Sequence, residues 1–90
     1  MYRLFYTAEA KKQIAKLDER LKVKIKEALE QIAENPLSGK VLSQELKGRF
    51  SYRVGDYRII YRVYHQEITI LVLTIGHRRD VYIRIMRKKW

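Results

Sequence analysis

Hydrophobic residues recur at helical spacing over the first third of the chain. Steps of three and four residues join Ala10, Ile14, Leu17, Leu21, Ile25, Leu29 and Ile32. Charged residues fill most positions between them, as on the exposed side of an amphipathic helix. Thr7 and Asp18 are residue types that cap helix N-termini, and Asn35-Pro36 ends the pattern because the residue before proline avoids helical geometry. The pattern favours two helices in a hairpin over one kinked helix, which would be very long for so small a domain.

Four segments have the apolar pattern of β-strands. Residues 2–6 are aromatic-rich, and residues 46–54 and 57–64 carry alternating large side chains on either side of a Gly55-Asp56 turn. Residues 68–75 are apolar at both parities, which is typical of a central strand covered on both sides. The pattern therefore predicts a hairpin that continues into a buried strand.

These elements predict an α+β fold formed by a small single domain over residues 1–90. The predicted order is an N-terminal strand, the helical hairpin, a three-stranded antiparallel meander and a short C-terminal helix capped by Asp80. The sheet would be four-stranded and mainly antiparallel, with residues 37–43 as a surface loop. Two helices can cover only one face of such a sheet, and alternation places Arg58 and Arg62 on the other. We therefore expect a concave, partly open and cationic surface on that other face.

Charge separates the two halves of the chain. The sequence has 20 lysines and arginines against 10 aspartates and glutamates, a net charge of +10. Residues 1–45 carry nine basic and seven acidic side chains, whereas residues 46–90 carry eleven and three. A solvated, salt-bridged surface explains the mixed charges of the first half. The excess in the second half predicts that it binds a polyanion such as a nucleic acid.

The residue types present argue against several other classes of protein. The sequence has no cysteine and only two isolated histidines, so we expect neither disulfides nor a zinc site, and predict no cofactor. The longest apolar run, residues 68–75, is too short to cross a bilayer, and the N-terminus lacks the apolar segment of a secretion signal. We therefore expect a cytoplasmic protein without a membrane partner.

Three motifs carry a resemblance to a known family. They are Leu46-Lys47-Gly48, Tyr52-Arg53-Val54-Gly55-Asp56-Tyr57-Arg58-Ile59-Ile60-Tyr61 and Gly76-His77-Arg78-Arg79-Asp80-Val81-Tyr82. In this order, in a basic chain of this length, they are similar to the RelE/ParE superfamily of toxin–antitoxin toxins, and within it to the RelE branch. The helical hairpin and its Asn35-Pro36 end also lie where that family has them. The resemblance covers essentially the whole chain and implies a RelE-like fold.

The resemblance also implies a function. It implies a toxin of a type II toxin–antitoxin system, a ribosome-dependent mRNA endonuclease (mRNA interferase) that cuts messenger in the A site and so inhibits translation. Arg58, Arg78 and Tyr82 match RelE positions involved in cleavage. Arg53 lies near a position where RelE has a lysine, and Ser51 replaces another such lysine. The implied partners are an acidic RelB-like antitoxin, the ribosome and mRNA, with operator DNA bound only by the toxin–antitoxin complex.

The side chains themselves suit RNA cleavage without a metal. Attack by the 2′-hydroxyl on the adjacent phosphate needs a base, an acid, and cations that stabilise the charge on the phosphorane. A guanidinium binds phosphate through two parallel hydrogen bonds and stays charged. We therefore assign Arg58 and Arg78 to a phosphate clamp, with Arg53 as a third member. Tyr82 can act as the base or stack on an RNA base, and His77 is the rival base.

Other readings of these residues stay open. A second set of residues is predicted to contact the RNA: Lys47, Arg49, Arg62, His77 and Arg79. Any arginine in a hairpin strand can instead be a solvated cross-strand partner. A ParE-like toxin shares the fold but poisons DNA gyrase, and a decayed toxin or other non-catalytic basic module would bind nucleic acid only. Arg78 and Tyr82 favour the RelE-like function because gyrase binding does not need this constellation.

Overall fold

The computed structural model describes residues 1–42 and 47–87, so residue 46 of the first motif lies outside the described residues. The elements are β1 (Arg3–Tyr6), α1 (Ala8–Lys16), α2 (Glu19–Glu34), a 3₁₀ turn (Pro36–Ser38), β2 (Lys40–Val41), β3 (Arg49–Val54), β4 (Tyr57–Tyr64), β5 (Thr69–His77) and α3 (Arg78–Arg87). The strands form one sheet in the order β1-β5-β4-β3-β2, parallel between β1 and β5 and otherwise antiparallel. The predicted α+β class is confirmed. None of the described helices is long and apolar enough to span a membrane.

The predicted helical hairpin is confirmed, and its break lies at Leu17 and Asp18, which both have extended backbone. The Thr7 hydroxyl accepts a hydrogen bond from the Ala10 amide at 3.1 Å, and Asp18 Oδ1 accepts one from the Leu21 amide at 2.9 Å. These bonds satisfy amides of each first helical turn that have no partner within the helix. The cap at Asp18 is therefore the local reason that the chain starts a second helix instead of extending the first.

Both faces of the sheet bury apolar side chains. Helices α1 and α2 cover the first face, here named the helix face, whose buried core comprises Ala10, Ile25, Ala28, Leu29, Ile32, Ile59, Tyr61, Ile70, Val72 and Ile75. The opposite face is named the arginine face after Arg49, Arg53, Arg58 and Arg62. Helix α3 packs there on a smaller core of Ile60, Leu73, Val81 and Ile85. The predicted alternation in β4 is confirmed, since Ile59 and Ile60 belong to different cores.

Three details of the prediction were wrong. The sheet has five strands rather than four, because Lys40–Val41, in the segment predicted as a loop, pairs with β3. Strand β5 continues to His77, and α3 begins at Arg78, two residues before the predicted cap Asp80. His77 Nδ1 accepts a hydrogen bond from the Arg79 amide at 3.4 Å, so the imidazole lies at the helix start where the Asp80 carboxylate was expected.

A buried tyrosine holds β2 against the sheet. Tyr61 Oη donates to the Pro36 carbonyl at 2.8 Å and accepts from the Gly39 amide at 3.0 Å. Burial raises the pKa of this phenol. A Cβ added to Gly39 would lie 2.5 Å from Tyr61 Oη, so only glycine fits where the chain crosses the ring. These contacts place Lys40 opposite Ser51 of β3 and thereby build the edge of the arginine face.

A β-bulge in β5 determines the register between β5 and β4. Ile60 pairs with Thr74 and Tyr61 with Val72, so Leu73 between them is the extra residue. Beyond the bulge, where β1 no longer pairs, the Gln13 side chain of α1 accepts a hydrogen bond from the β5 backbone amide of residue 75 at 2.7 Å. The bulge shifts the register of all later residues of β5. As a result, a glycine, Gly76, lies opposite Arg58.

Candidate active site

Four arginines form two opposed pairs on the arginine face. Arg53 lies directly opposite Arg58 in the β3–β4 hairpin, and Arg49 lies directly opposite Arg62. Like charges in directly opposite positions destabilise a sheet. The hairpin therefore keeps these pairs at some expense of stability, and the resulting surface is suited to an anion that lies across both strands.

A chain of hydrogen bonds joins β4, β3 and α3 on this face. Arg58 Nη1 donates to Ser51 Oγ at 3.4 Å, and Ser51 Oγ lies 3.0 Å from Tyr82 Oη. Ser51 is 1% exposed, whereas Arg58 and Tyr82 are half-buried. Tyr82 also packs against the arginine-face core, which fixes the position of its ring. Two of the predicted catalytic residues thus meet through a buried serine.

The other two predicted catalytic residues lie at the turn between β3 and β4. The Arg78 amide donates to the Asp56 carbonyl at 2.8 Å, and Arg53 Nε donates to the Gly55 carbonyl at 3.2 Å. Gly55 has a φ of 59°, a left-handed conformation that glycine adopts without strain. This tight turn brings the start of α3 to the end of the hairpin, with Arg53 and Arg78 both exposed beside it.

Arg84 extends the site, although the sequence did not single it out. A Cβ added to Gly76 would lie 3.2 Å from Arg84 Nη1, so the guanidinium covers the glycine that faces Arg58 across the sheet. Arg84 also lines a cleft of about 460 Å³ between α1 and α3. The cleft is formed by Ala8, Glu9, Lys12, Gln13, Lys16 and Arg84. Arg84 thus lies beside Gly76 and shares this cleft with Lys12 and Lys16 of α1.

The residues predicted to contact the RNA do not form one group. Lys47 is exposed in the turn before β3, and Arg79 is exposed in the first turn of α3. The Arg62 guanidinium lies 5.7 Å from the centroid of the Tyr64 ring, a cation–π distance. Arg49, opposite Arg62, is half-buried. Lys47 and Arg79 are thus the predicted contacts most open to a ligand.

His77 is engaged in contacts within the fold. Its ring packs edge-on against Tyr57 at a centroid distance of 6.2 Å, and Nδ1 accepts the hydrogen bond from the Arg79 amide. The first contact joins the end of β5 to the start of β4, and the second joins it to the start of α3. These contacts fix the junction between β5 and α3, from which Arg78 projects. His77 is thus held by contacts within the fold, next to the predicted phosphate clamp.

Two residues of the candidate site were not among the residues predicted to act there, and for different reasons. Ser51 had a usable signal, because it is two residues from both Arg49 and Arg53 and must share their face of β3. Arg84 had none, since its contact with Gly76 arises from the packing of α3 on β5. Within the described residues, no cluster of three His, Cys, Asp or Glu side chains could hold a metal ion. The arginines and Tyr82 of the candidate site can bind phosphate through guanidinium groups and transfer a proton through a phenol.

Comparisons with known proteins agree with the fold and the motifs. The family model described as the ParE toxin of type II toxin–antitoxin systems matches residues 4–82. Toxin RelG of Mycobacterium tuberculosis is 36% identical over 85 residues, which cover 92% of this chain and 98% of RelG. The toxin–antitoxin complex RelBE2 of the same organism contains a chain that matches at 35% identity with a TM-score of 0.78, over 86% of this chain and 98% of that one. The isolated E. coli RelE toxin matches with a TM-score of 0.74 over 97% of each chain, and at 22% identity it supports the fold alone.

Proposed function

The chain belongs to the RelE/ParE superfamily of toxins from type II toxin–antitoxin systems, and we propose that it is an endoribonuclease that cleaves messenger RNA in the ribosomal A site. The observation that carries this proposal is the contact of Arg58 and Tyr82 through Ser51. It joins a cation suited to phosphate with a group able to transfer a proton. Cleavage of the messenger would inhibit translation.

The proposed reaction uses the 2′-hydroxyl of the RNA as its nucleophile and needs no metal. The 2′-oxygen attacks the adjacent phosphorus, the bond to the 5′-oxygen breaks, and the products are a 2′,3′-cyclic phosphate and a 5′-hydroxyl. Arg58 binds the phosphate oxygens as negative charge develops on them, assisted by Arg53 from the opposite strand and Arg78 from the start of α3. Tyr82 takes part in proton transfer.

The ribosome supplies geometry that this small site lacks. Arg58, Ser51 and Tyr82 include neither a carboxylate nor an imidazole, so their acid–base chemistry is weak. Holding the 2′-oxygen in line with the scissile bond then contributes much of the rate. We therefore expect the purified protein to cut free RNA poorly. Cleavage of naked RNA at the same sites and rate as on ribosomes would contradict ribosome dependence.

An acidic partner suits the net charge of +10. The RelBE2 relative forms a toxin–antitoxin complex, and we propose that a RelB-like acidic antitoxin likewise binds this chain and masks the arginine face. Operator DNA would be bound by the complex and not by the toxin alone. Co-purification with the product of the adjacent reading frame tests the partner, and absence of any binding between the two would count against it.

Mapping RNA 5′ ends after induction of the protein tests the enzymatic function. We expect cuts inside codons of translated messengers, and loss of these cuts in Arg58→Ala and Tyr82→Phe. Defined ribosome complexes with one codon in the A site give the same test with purified components. Unchanged cutting by both variants would refute the assignment of these residues.

Inhibition of DNA gyrase is the second candidate, favoured by the ParE description of the matching family model. This function needs no proton-transfer group, so Tyr82→Phe should retain toxicity. It predicts intact messengers, DNA damage after induction and inhibition of supercoiling by purified gyrase. The 5′-end map and the supercoiling assay therefore separate the two functions.

A further inference from the structure

The arginine face carries exposed aromatic rings at the end of the sheet that is remote from the β3–β4 turn. Leu4 and Tyr6 of β1 pack against the helix-face core, so Arg3 and Phe5 point to the arginine face. Tyr64 ends β4 on that same face, because it lies one residue beyond Val63 of the helix-face core. Phe5 is 49% exposed and Tyr64 is 36% exposed.

Strand pairing brings these side chains into one patch. Two rows of directly paired residues cross β1, β5 and β4 on this face: Phe5, Leu71 and Arg62 form one row, and Arg3, Thr69 and Tyr64 form the next. Neighbouring strands lie about 4.8 Å apart, so the ends of each row are roughly 10 Å apart. Each row has an aromatic ring at one end and a guanidinium group at the other. These four end residues, Arg3, Phe5, Arg62 and Tyr64, are named the platform.

The platform is positively charged and is held by local contacts. The Arg62 guanidinium lies 5.7 Å from the centroid of the Tyr64 ring, which keeps cation and ring side by side. Arg3 is exposed on the edge strand β1. None of the five described strands contains an aspartate or a glutamate. The sheet itself therefore does not neutralise this charge, and an anionic ligand is favoured.

The side chains of the platform suit single-stranded RNA. One exposed ring is common on a protein surface, but two rings alternating with two arginines have the composition of sites that bind single strands. Bases stack on the rings, and phosphates bind the guanidinium groups. An acidic peptide supplies negative charge but, unlike RNA, has no planar base beside each charge.

The platform continues the predicted phosphate clamp along β4. Arg58 and Arg62 share one face of this strand and are four residues apart, a distance of roughly 13 Å. We propose that the platform binds the messenger next to the cleaved codon, with bases stacked on Phe5 and Tyr64 and phosphates bound by Arg3 and Arg62. This proposal rests on the proposed function and adds a binding surface outside the reacting groups.

Binding of RNA with and without bases tests the platform separately from cleavage. The ligands are a labelled single-stranded RNA oligonucleotide and an abasic oligonucleotide of the same length, which keeps the phosphates and lacks the bases. Fluorescence anisotropy with the purified chain gives each Kd at several salt concentrations. The comparison includes the parent chain, Arg62→Ala and the two ring variants, Phe5→Ala and Tyr64→Ala.

The ring variants and the arginine variant should differ in their response. Each ring variant should bind the ordinary RNA about tenfold more weakly than the parent chain. On the abasic RNA, which the parent should already bind weakly, the ring variants should match the parent. Arg62→Ala should weaken binding of both ligands and reduce the slope of log K against log salt by about 0.7, because one phosphate contact is lost. The ring variants should leave that slope unchanged.

Conservative and distant substitutions serve as controls. Phe5→Tyr and Tyr64→Phe keep an aromatic ring and should bind like the parent chain. Val23→Ala shortens an apolar side chain that is 58% exposed on α2, away from the arginine face, and should not change RNA binding. Thermal unfolding of each variant verifies the fold, which the ring variants should retain because both rings are exposed.

Cleavage on ribosomes then shows whether the platform acts by binding alone. Phe5→Ala should raise the protein concentration that gives half-maximal cleavage by about tenfold and keep the saturated single-turnover rate within about twofold of the parent. A contact made equally before and during the reaction has this effect. Arg58→Ala should instead lower the saturated rate.

Three outcomes overturn the platform. The first is ring variants that bind ordinary RNA as tightly as the parent chain, and the second is an equal loss on ordinary and abasic RNA. The third is unchanged RNA binding together with lost binding of the adjacent-frame product, which would assign the patch to the antitoxin. If any of these occurs while the parent cleaves messengers on ribosomes, the proposed function stands without the platform. If the rings bind RNA as expected but the parent cleaves no messenger on ribosomes, the proposed function fails and the platform remains a site for single-stranded RNA.

Discussion

The two faces of the sheet carry different kinds of side chain, although the same strands form both. On the helix face, Ile59 and Tyr61 of β4 are fully buried in a core closed by α1 and α2. On the arginine face, Arg58 and Arg62 of that same strand lie opposite further arginines. Apolar burial on the helix face stabilises the folded state. Repulsion between opposed arginines on the arginine face destabilises it. We therefore expect the helix face to determine stability and the arginine face to determine activity.

Helix α3 is the element in which these two requirements meet. Val81 and Ile85 are buried against the sheet, and Tyr82 between them turns its phenol toward Ser51. The apolar side chains of α3 therefore hold Tyr82, the proposed proton-transfer residue, in place. Loss of α3 packing would remove Tyr82 from Ser51 without altering the arginines of the hairpin.

Adjacent residues of β4 give the strongest test of this division. Ile59→Ala removes a fully buried side chain and is expected to lower the free energy of unfolding by about 3 kcal/mol. Arg58→Ala should change that free energy by less than about 0.5 kcal/mol but slow cleavage on ribosomes by at least about 100-fold. Denaturant unfolding and single-turnover cleavage measure the two effects. Similar losses of stability in both variants would contradict the division between the faces.

Tyr61→Phe is expected to have the next largest effect, again on stability. The change leaves the Pro36 carbonyl and the Gly39 amide without their phenol partner, at a cost of about 2 kcal/mol. Tyr64→Phe is the matched control, because Tyr64 is exposed at the end of the same strand and should unfold like the parent chain. Equal unfolding midpoints for Tyr61→Phe and the parent would show that these bonds do not hold β2.

The same residue gives a pH dependence of known sign. Burial raises the pKa of Tyr61, and of Tyr6, above that of the free phenol. As pH rises above about 10, the unfolded chain loses these phenol protons first, so stability is fully present below that pH and falls above it. Tyr61→Phe removes one contribution and should flatten this fall. A parent chain whose stability rose between about pH 10 and 11 would contradict the sign.

Local patterns were sufficient to predict most of the fold. The three- and four-residue steps identified both helices, and period-two alternation along β4 was enough to place Ile59 and Arg58 on opposite faces. The short strand Lys40–Val41 was not predictable in this way, because it depends on the contact of Tyr61 with Gly39, 22 residues away. Elements held by distant side chains leave no periodic pattern in their own sequence.

The site was predictable in its residue types more than in its contacts. The resemblance named Arg58 and Tyr82, and alternation placed Arg58 on the face opposite α1 and α2, but neither indicates that a serine joins the two. Ser51 and Tyr82 are 31 residues apart, and they meet because α3 folds back over β5 and reaches β3. The bulge at Leu73 sets the register that brings Gly76 opposite Arg58. Such contacts depend on how helices and strands pack together, and the residues around each position do not reveal that packing.

The smallest expected effect concerns the cost of keeping arginines opposite one another. Arg53→Thr removes one member of the Arg53–Arg58 pair and introduces a residue that favours strands, so the free energy of unfolding should rise by about 0.5 kcal/mol. The same change should slow cleavage about tenfold, because one cation of the clamp is lost. Arg53→Lys keeps the charge and should give no gain in stability, and high salt should reduce the gain of Arg53→Thr by screening the repulsion it relieves. If Arg53→Thr were instead less stable and cleaved normally, the bond from Arg53 to the Gly55 carbonyl would be its main role, and Arg53 would belong with the structural residues of the turn.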